Sequence, residues 1–294
     1  MSVIQRIFMP GSRWLYIKLY LGEKTADVIL TQVVIPAIHK LRRMKSFEKW
    51  FFIRYSDPDF HLRILFLVTD IQSIHEIIEI FSQKLERWNR DRLLWKMQID
   101  TYNRELERYG MYLIEEAESV FYIDSECILS ILKMLNNNEK YRWMIALKLI
   151  DGLLSDFSLS IEEKQKLMGI YNKDYKTEFG FNEHNAKQFN SKFRENKSTV
   201  ESVLNDTFVE QSFVALYPPI KKRSKALASI IEQIKIKLKK DMELNELIKS
   251  YLHMMLNRLF LSRNRIYELV LYDFMNRYYK SEIAKAKLQP HAYE

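Results

Sequence analysis

Cysteine is almost absent from this chain: Cys127 stands alone, so no intrachain disulfide and no cysteine-built metal site is possible. Glycine is scarce as well, 6 in 294 residues, which argues against a disordered or fibrous chain and for an ordered, helix-rich globule. No run approaches the ~20 uninterrupted apolar residues of a membrane span, and the N-terminal MSVIQRIFMPGSRW lacks the apolar core of a secretory signal. A cytoplasmic protein without a membrane span is expected. The signatures of nucleotide, zinc and serine-hydrolase chemistry are missing too: GxGxxG, the Walker loop, HExxH, GxSxG and CxxC do not occur. The histidines, at 39, 61, 75, 184, 253 and 291, show no pair at ligand spacing. Neither a cofactor nor a metal is expected, and no internal repeat or low-complexity tract is visible.

What is present is enough chain for a full core. At 35.5 kDa and 47% hydrophobic residues, the chain fits one large domain or two tightly joined ones. The net charge of +8 comes from 46 basic and 38 acidic residues and is densest over Lys221–Lys240, where Lys221, Lys222, Arg223, Lys225, Lys235, Lys237, Lys239 and Lys240 face only Glu232. A solvated helix face accounts for this, and so does attraction to an acidic partner. No nucleic-acid motif accompanies it, so no direct nucleic-acid contact is expected.

Periodicity divides the chain. RWLYIKLY, residues 13–20, alternates and reads as a strand, Thr25 is the expected cap of a helix over 28–43, and Pro36 should kink that helix. FFIRYSDPDFHLRILFL, residues 51–67, reads as a hairpin turning at Ser56–Asp59. A second helix follows Asp70 over 71–88, then a strand over 93–102. From Leu113 the pattern is helical, with Ser125 and Ser160 as caps, a polar stretch over 182–206 as a mobile connection or exposed helix, and a break at Tyr217–Pro219. The last helices should run over 222–240 and 244–280. The fold class is therefore α+β: a small mixed or antiparallel sheet in the N-terminal third (1–110) carrying helices, then a mainly helical part (111–294), together one domain.

Three groups carry chemistry. On the hairpin, His61, Arg63, Leu65 and Leu67 share one face of the second arm. Arg54 shares a face with Phe52 and Trp50 on the first arm, so two arginines and a histidine are expected to converge on one side as an anion site. An ordinary strand with outward charges has the same pattern. In RELERYG, residues 104–110, Arg108 pairs with Glu105 or binds an external carboxylate. In SYLHMMLNR, residues 250–258, His253 sits among apolar residues and also fits a packed core histidine.

WLYIKLY, FFIRYSDPDFHLRI, ERYG, HMMLNRLF and ELVLYDFMNRYY together resemble, in order and spacing, the C-terminal elimination domain of class I lanthipeptide dehydratases, which also occurs alone in thiopeptide clusters. The resemblance runs from Trp14 to about Lys280 and is weakest over 136–240. It implies a carbon–oxygen lyase acting on a ribosomally made precursor peptide whose serine or threonine a separate tRNA-dependent subunit has esterified with glutamate. The implied reaction removes the α-proton and expels glutamate, leaving dehydroalanine or dehydrobutyrine. By the same resemblance His253 corresponds to a proton-transfer histidine, Arg63 to the first arginine of an HxRxR motif, and Arg108 and Glu105 to the ERYG arginine and the acid before it. The chain departs from the pattern at Leu65, where the family usually carries a second arginine, with Arg54 or Lys18 as the neighbouring cations to compensate. A chain of 294 residues is too short for the glutamylating domain as well, so a stand-alone protein is expected, its oligomeric state open and a homodimer compatible with it. Two alternatives stay open: a pyridine synthase that joins two dehydroalanines, and a non-catalytic subunit that captures an acidic leader peptide.

Overall fold

Alternating β-branched and aromatic residues form strands where the pattern places them, in a computed structural model that describes residues 4–136, 138–238 and 243–288. Lys239, Lys240 and His291 lie outside the described residues. In chain order come β1 (Ile7–Phe8), β2 (Trp14–Leu21), α1 (Glu23–Ile29), a π-helical segment (Leu30–Val34), α2 (Ile35–Met44), β3 (Phe47–Ser56), β4 (Phe60–Val68), α3 (Gln72–Arg90), β5 (Leu94–Asp100), β6 (Tyr102–Asn103) and the single turn α4 (Leu106–Tyr109). Helices follow: α5 (Ile114–Leu135), α6 (Arg142–Asp156), α7 (Ile161–Glu178), α8 (Glu183–Leu204), α9 (Gln211–Val214), α10 (Tyr217–Lys237), α11 (Leu244–Leu259) and α12 (Asn264–Leu288). The class is α+β.

Four strands make an antiparallel sheet in the order β3-β4-β2-β5, and β1 pairs with β6 apart from it. The hairpin sets the register. With Ser56 opposite Phe60, Ile53 falls opposite Arg63 and Arg54 opposite Leu62. β2 continues the rows, Lys18 opposite Arg63 and Tyr16 opposite Leu65, and β5 adds Asp100 opposite Tyr16. Directly opposed residues share a face. One face therefore carries Tyr16, Lys18, Tyr20, His61, Arg63 and Leu65. The other carries Leu15, Ile17, Leu19, Phe52, Leu62, Ile64 and Phe66, all buried. α3 covers this apolar face, its Phe81 ring 5.8 Å from Phe66.

That register overturns one expectation. Arg54 lies on the apolar face, only 4% exposed, where its Nη2 donates to Asp27 of α1 at 2.5 Å and its Nε to the Arg258 carbonyl at 3.0 Å. Alternation relates residues within a strand, but only the turn decides which face of one arm meets which face of the other.

Local signals act as expected at some helix ends and not at others. The Asp70 carboxylate accepts the Ser73 N–H at 2.9 Å, and Ser160 and Glu163 form a reciprocal capping box. Asn182 and Asn185 form another, so the polar stretch is the exposed helix α8. Thr25 and Ser125, expected as caps, lie inside α1 and α5, and the Ser125 hydroxyl instead accepts the Phe52 N–H at 3.2 Å. Pro36 stands in the first turn of α2, directly after the π-helical segment, where a missing N–H is tolerated. Pro218 and Pro219 open α10 rather than break the chain, for the same reason. The expected helix over 244–280 is two helices, parted where Phe260 becomes extended and Arg263 takes a positive φ of 53°.

The described residues form two compact units. The first runs to residue 136 and resumes over Lys225–Ser262; the second holds Asn138–Ser224 and the chain from Arg263. In the first, α5 lies along β3, with Trp50 donating to Glu126 at 2.6 Å and Lys49 to the Ser119 hydroxyl at 2.7 Å. α11 also reaches β3: the Asn257 amide accepts from the Arg54 N–H at 3.0 Å and donates to its carbonyl at 2.9 Å, as a neighbouring strand would. In the second, α7 and α12 pack closely through Tyr171, Tyr175 and Tyr272, and buried Asp273 bonds Lys176 at 2.8 Å. α5 and α11 thus belong with the sheet.

Candidate functional site

The polar face of the sheet is the floor of a cavity of about 250 Å³. This is slightly below the ~300 Å³ at which drug-sized pockets begin, and suits one side-chain-sized group. Tyr16 and Lys18 of β2, Arg63 and Leu65 of β4, and Asp100 at the end of β5 form the floor. Phe51, Phe121, Tyr109 and Met254 wall it, and Glu105 stands on it just before α4.

Arg63 is the centre of its electrostatics. Its guanidinium carbon lies 3.4 Å from the centre of the Tyr55 ring, and its Nε donates to His61 Nε2 at 3.2 Å. Arg63 makes no ion pair among the described residues. The other cations there are matched: Lys18 pairs with Asp100, and Arg108 with Glu105 at 3.1 Å. The bond to Lys18 holds the Asp100 carboxyl below its ordinary range, helped by the Thr101 N–H. One positive charge is left over at Arg63, so the cavity suits an anion.

Tyr16 adds a donor. Its hydroxyl is buried with no hydrogen-bond partner among the described residues, and burial pushes its pKa well above the ordinary value despite Arg63 nearby. It stays a neutral phenol and has a proton to give a ligand oxygen. Tyr109 is raised by burial too, with the adjacent Arg108 acting the other way.

The expected site residues divide between the cavity and its surroundings. Lys18, Arg63 and Glu105 line the cavity, with His61 directly behind Arg63. Arg108 is not among the lining side chains, but it pairs with Glu105 and adjoins Tyr109, which are. His253 is half-buried on α11 and is not among the lining side chains, although Met254, the next residue, is. Arg54 is on the far face. Tyr16 and Asp100 were not anticipated. Tyr16 stands two residues before Lys18 on an alternating strand, where an aromatic side chain reads as core, and Asp100 became part of the site only through the pairing of β5 with β2. Among the described residues no group of His, Cys, Asp and Glu side chains is placed to hold a metal ion.

Residues 14–279 match the family described as lantibiotic biosynthesis dehydratase C-term. The nisin biosynthesis protein NisB of Lactococcus lactis is 33% identical over 144 residues, which cover 47% of this chain and 14% of NisB. The match therefore takes in well under two thirds of that relative's length. Among solved structures, the tRNA-dependent lantibiotic dehydratase MibB from Microbispora sp. 107891 superposes with a TM-score of 0.73 at 18% identity, over 95% of this chain and 29% of that one. The pyridine synthase TbtD from thiomuracin biosynthesis gives 0.68 at 10% identity, over 94% of this chain and all of TbtD. At these identities the structural likeness is one of fold.

Proposed function

We propose, because the chain belongs to the family of lantibiotic biosynthesis dehydratase C-terminal domains, that it is a lyase of lanthipeptide-type biosynthesis that eliminates glutamate from glutamylated serine or threonine of a precursor peptide. The observation that carries this reading is the uncompensated Arg63 guanidinium in a cavity of side-chain size. Arg63 holds the glutamyl carboxylate, and the Tyr16 hydroxyl donates to an oxygen that gains charge. A base takes the α-proton; the electron pair left at Cα forms the Cα–Cβ double bond as the Cβ–O bond breaks, and glutamate departs with its carboxylate. Asp100 is engaged by Lys18, so Glu105, held by Arg108, is the cavity carboxylate assigned to proton transfer, and His253 is the second group for proton traffic. The glutamyl ester comes from a separate tRNA-dependent glutamylating protein.

Leu65 favours a second reading. It is 2% exposed and faces the cavity two residues beyond Arg63, where an apolar side chain gives a leaving glutamate nothing to bond. A pyridine synthase, which joins two dehydroalanines, does not need that charge. Lys18 stands opposite Arg63 as the nearest compensating cation, already engaged by Asp100.

Mass spectrometry of the purified chain with a glutamylated precursor peptide decides between them. Free glutamate and a dehydrated peptide are expected. Ring closure of a peptide that already carries dehydroalanines supports the synthase instead, and tight binding with no change in mass leaves a peptide-binding subunit.

A further inference from the structure

One donor of Arg63 is engaged within the sheet. Its Nε–H points to His61 Nε2 at 3.2 Å, while His61 Nδ1 lies 2.8 Å from the Asp59 carbonyl oxygen. A carbonyl only accepts, so the ring proton is assigned to Nδ1, leaving the Nε2 lone pair for Arg63. Both bonds exist together in one state, the neutral ring of that tautomer. The ring itself is fully buried, its centre 4.7 Å from Tyr20 of β2 and 5.5 Å from Tyr55 of β3. With Nε held by His61 and one face against Tyr55, Arg63 keeps its two Nη groups for the cavity.

We propose that His61 is the positioning residue of the anion site: by accepting the Arg63 Nε–H it orients the guanidinium, and the cavity takes a carboxylate in register only while His61 is neutral. The proposal rests on the reading of the cavity as the glutamyl-carboxylate site. His61 does not line the cavity, so its effect passes through Arg63.

The charged and titratable groups around the ring point the same way. Burial lowers the His61 pKa most, and Arg63 and Lys18 lower it further; the bond to Asp59 and the charge of Asp100 act in the opposite sense. Tyr20, Tyr55 and Lys96, whose Nζ lies 4.9 Å from the Tyr20 ring centre, complete the surroundings. An unperturbed histidine titrates near ~6.5. As pH falls through the lower pKa of the folded protein, Nε2 takes a proton, ceases to accept, and meets Arg63 with like charge. Carboxylate binding then weakens. Folding stability moves in the same direction, full above ~6.5 and lost as pH drops towards the folded-state value.

Ring-nitrogen NMR and two variants test this. His61→Phe keeps an aromatic ring between the tyrosines but has no acceptor, whereas His61→Gln keeps an amide oxygen and cannot ionise. The wild-type ring is expected neutral with its proton on Nδ1 at pH 7. Its KM for glutamylated peptide should rise in acid with kcat less affected. In His61→Phe the KM is expected to be raised about ten-fold at every pH, as for loss of a hydrogen bond to a charged group. His61→Gln should bind nearly as the wild type, with no acid limb. A ring protonated on Nε2 at pH 7, or a wild-type KM in a folded His61→Phe, overturns the proposal. If the wild type releases no glutamate, the elimination reading fails separately. The ring spectra then decide the positioning role, together with exchange of the Arg63 Nε–H, expected to be slow in wild type and His61→Gln and fast in His61→Phe.

Discussion

Arg54 and Arg63 sit on adjacent strands and have opposite tasks because the sheet has two sides. Arg54 and Asp27 are buried together, so Arg54→Ala leaves a carboxylate without its cation in the core. Denaturant unfolding should show a loss of about 3–5 kcal/mol. Arg63 stands in the cavity with no carboxylate partner among the described residues, so Arg63→Ala should cost less, about 1–2 kcal/mol of stability for its contacts with Tyr55 and His61. Its cost should appear in turnover instead: glutamate release from glutamylated peptide falls about 100-fold. Equal unfolding curves for the two variants would contradict this division. Leu65→Arg is the complementary change. Added to the wild type it should raise the elimination rate and lower the KM for glutamylated peptide; an unchanged rate assigns the site to chemistry that needs a single guanidinium. Arg63 stood out in the sequence because a charge on an alternating strand is visible there, and Arg108 and Glu105 because they lie at ion-pair spacing in a motif of the family. Tyr16 did not, since an aromatic residue on a strand reads as core until its hydroxyl is found facing a cavity.

At the scale of elements, α11 closes the sheet at its β3 edge with one side chain. Asn257 stands in for a strand by bonding both backbone groups of Arg54. Asn257→Ala leaves a donor and an acceptor without partners, and chemical denaturation should report a loss of about 1–3 kcal/mol. The capping box of α7 is a local device by comparison, and Ser160→Ala should cost about 1 kcal/mol without touching the cavity. The cap at Ser160 was legible because a capping box is a local pattern. Ser125 was misleading for the same reason: it has the chemistry of a cap, but α5 runs through it and its hydroxyl serves β3. The break at Phe260 had no composition signal, since no glycine or proline marks it.

For the whole molecule, the surplus of positive charge has a kinetic consequence. Association of an acidic peptide should slow about ten-fold as salt is raised from low ionic strength to ~0.15 M, where the screening length is ~8 Å. Stopped-flow measurements against salt check this, and a flat profile removes charge steering from the account. No helix among the described residues is long and apolar enough to cross a membrane, in keeping with the absence of apolar runs. The chain enters its second unit at Asn138, leaves it at Lys225 and returns at Arg263, so neither unit is a continuous stretch. By itself, the sequence determined the α+β class, the hairpin, most helices, and the family through motifs spread from end to end. These are local periodicities and spacings, and they survive without knowledge of contacts. Only the tertiary structure decided that Arg54 turns away from Arg63, that Asp100 neutralises Lys18, and that His61 faces Arg63 with its lone pair. Each of these depends on strand register and burial, which arise between segments far apart in the chain and leave no mark on either segment alone.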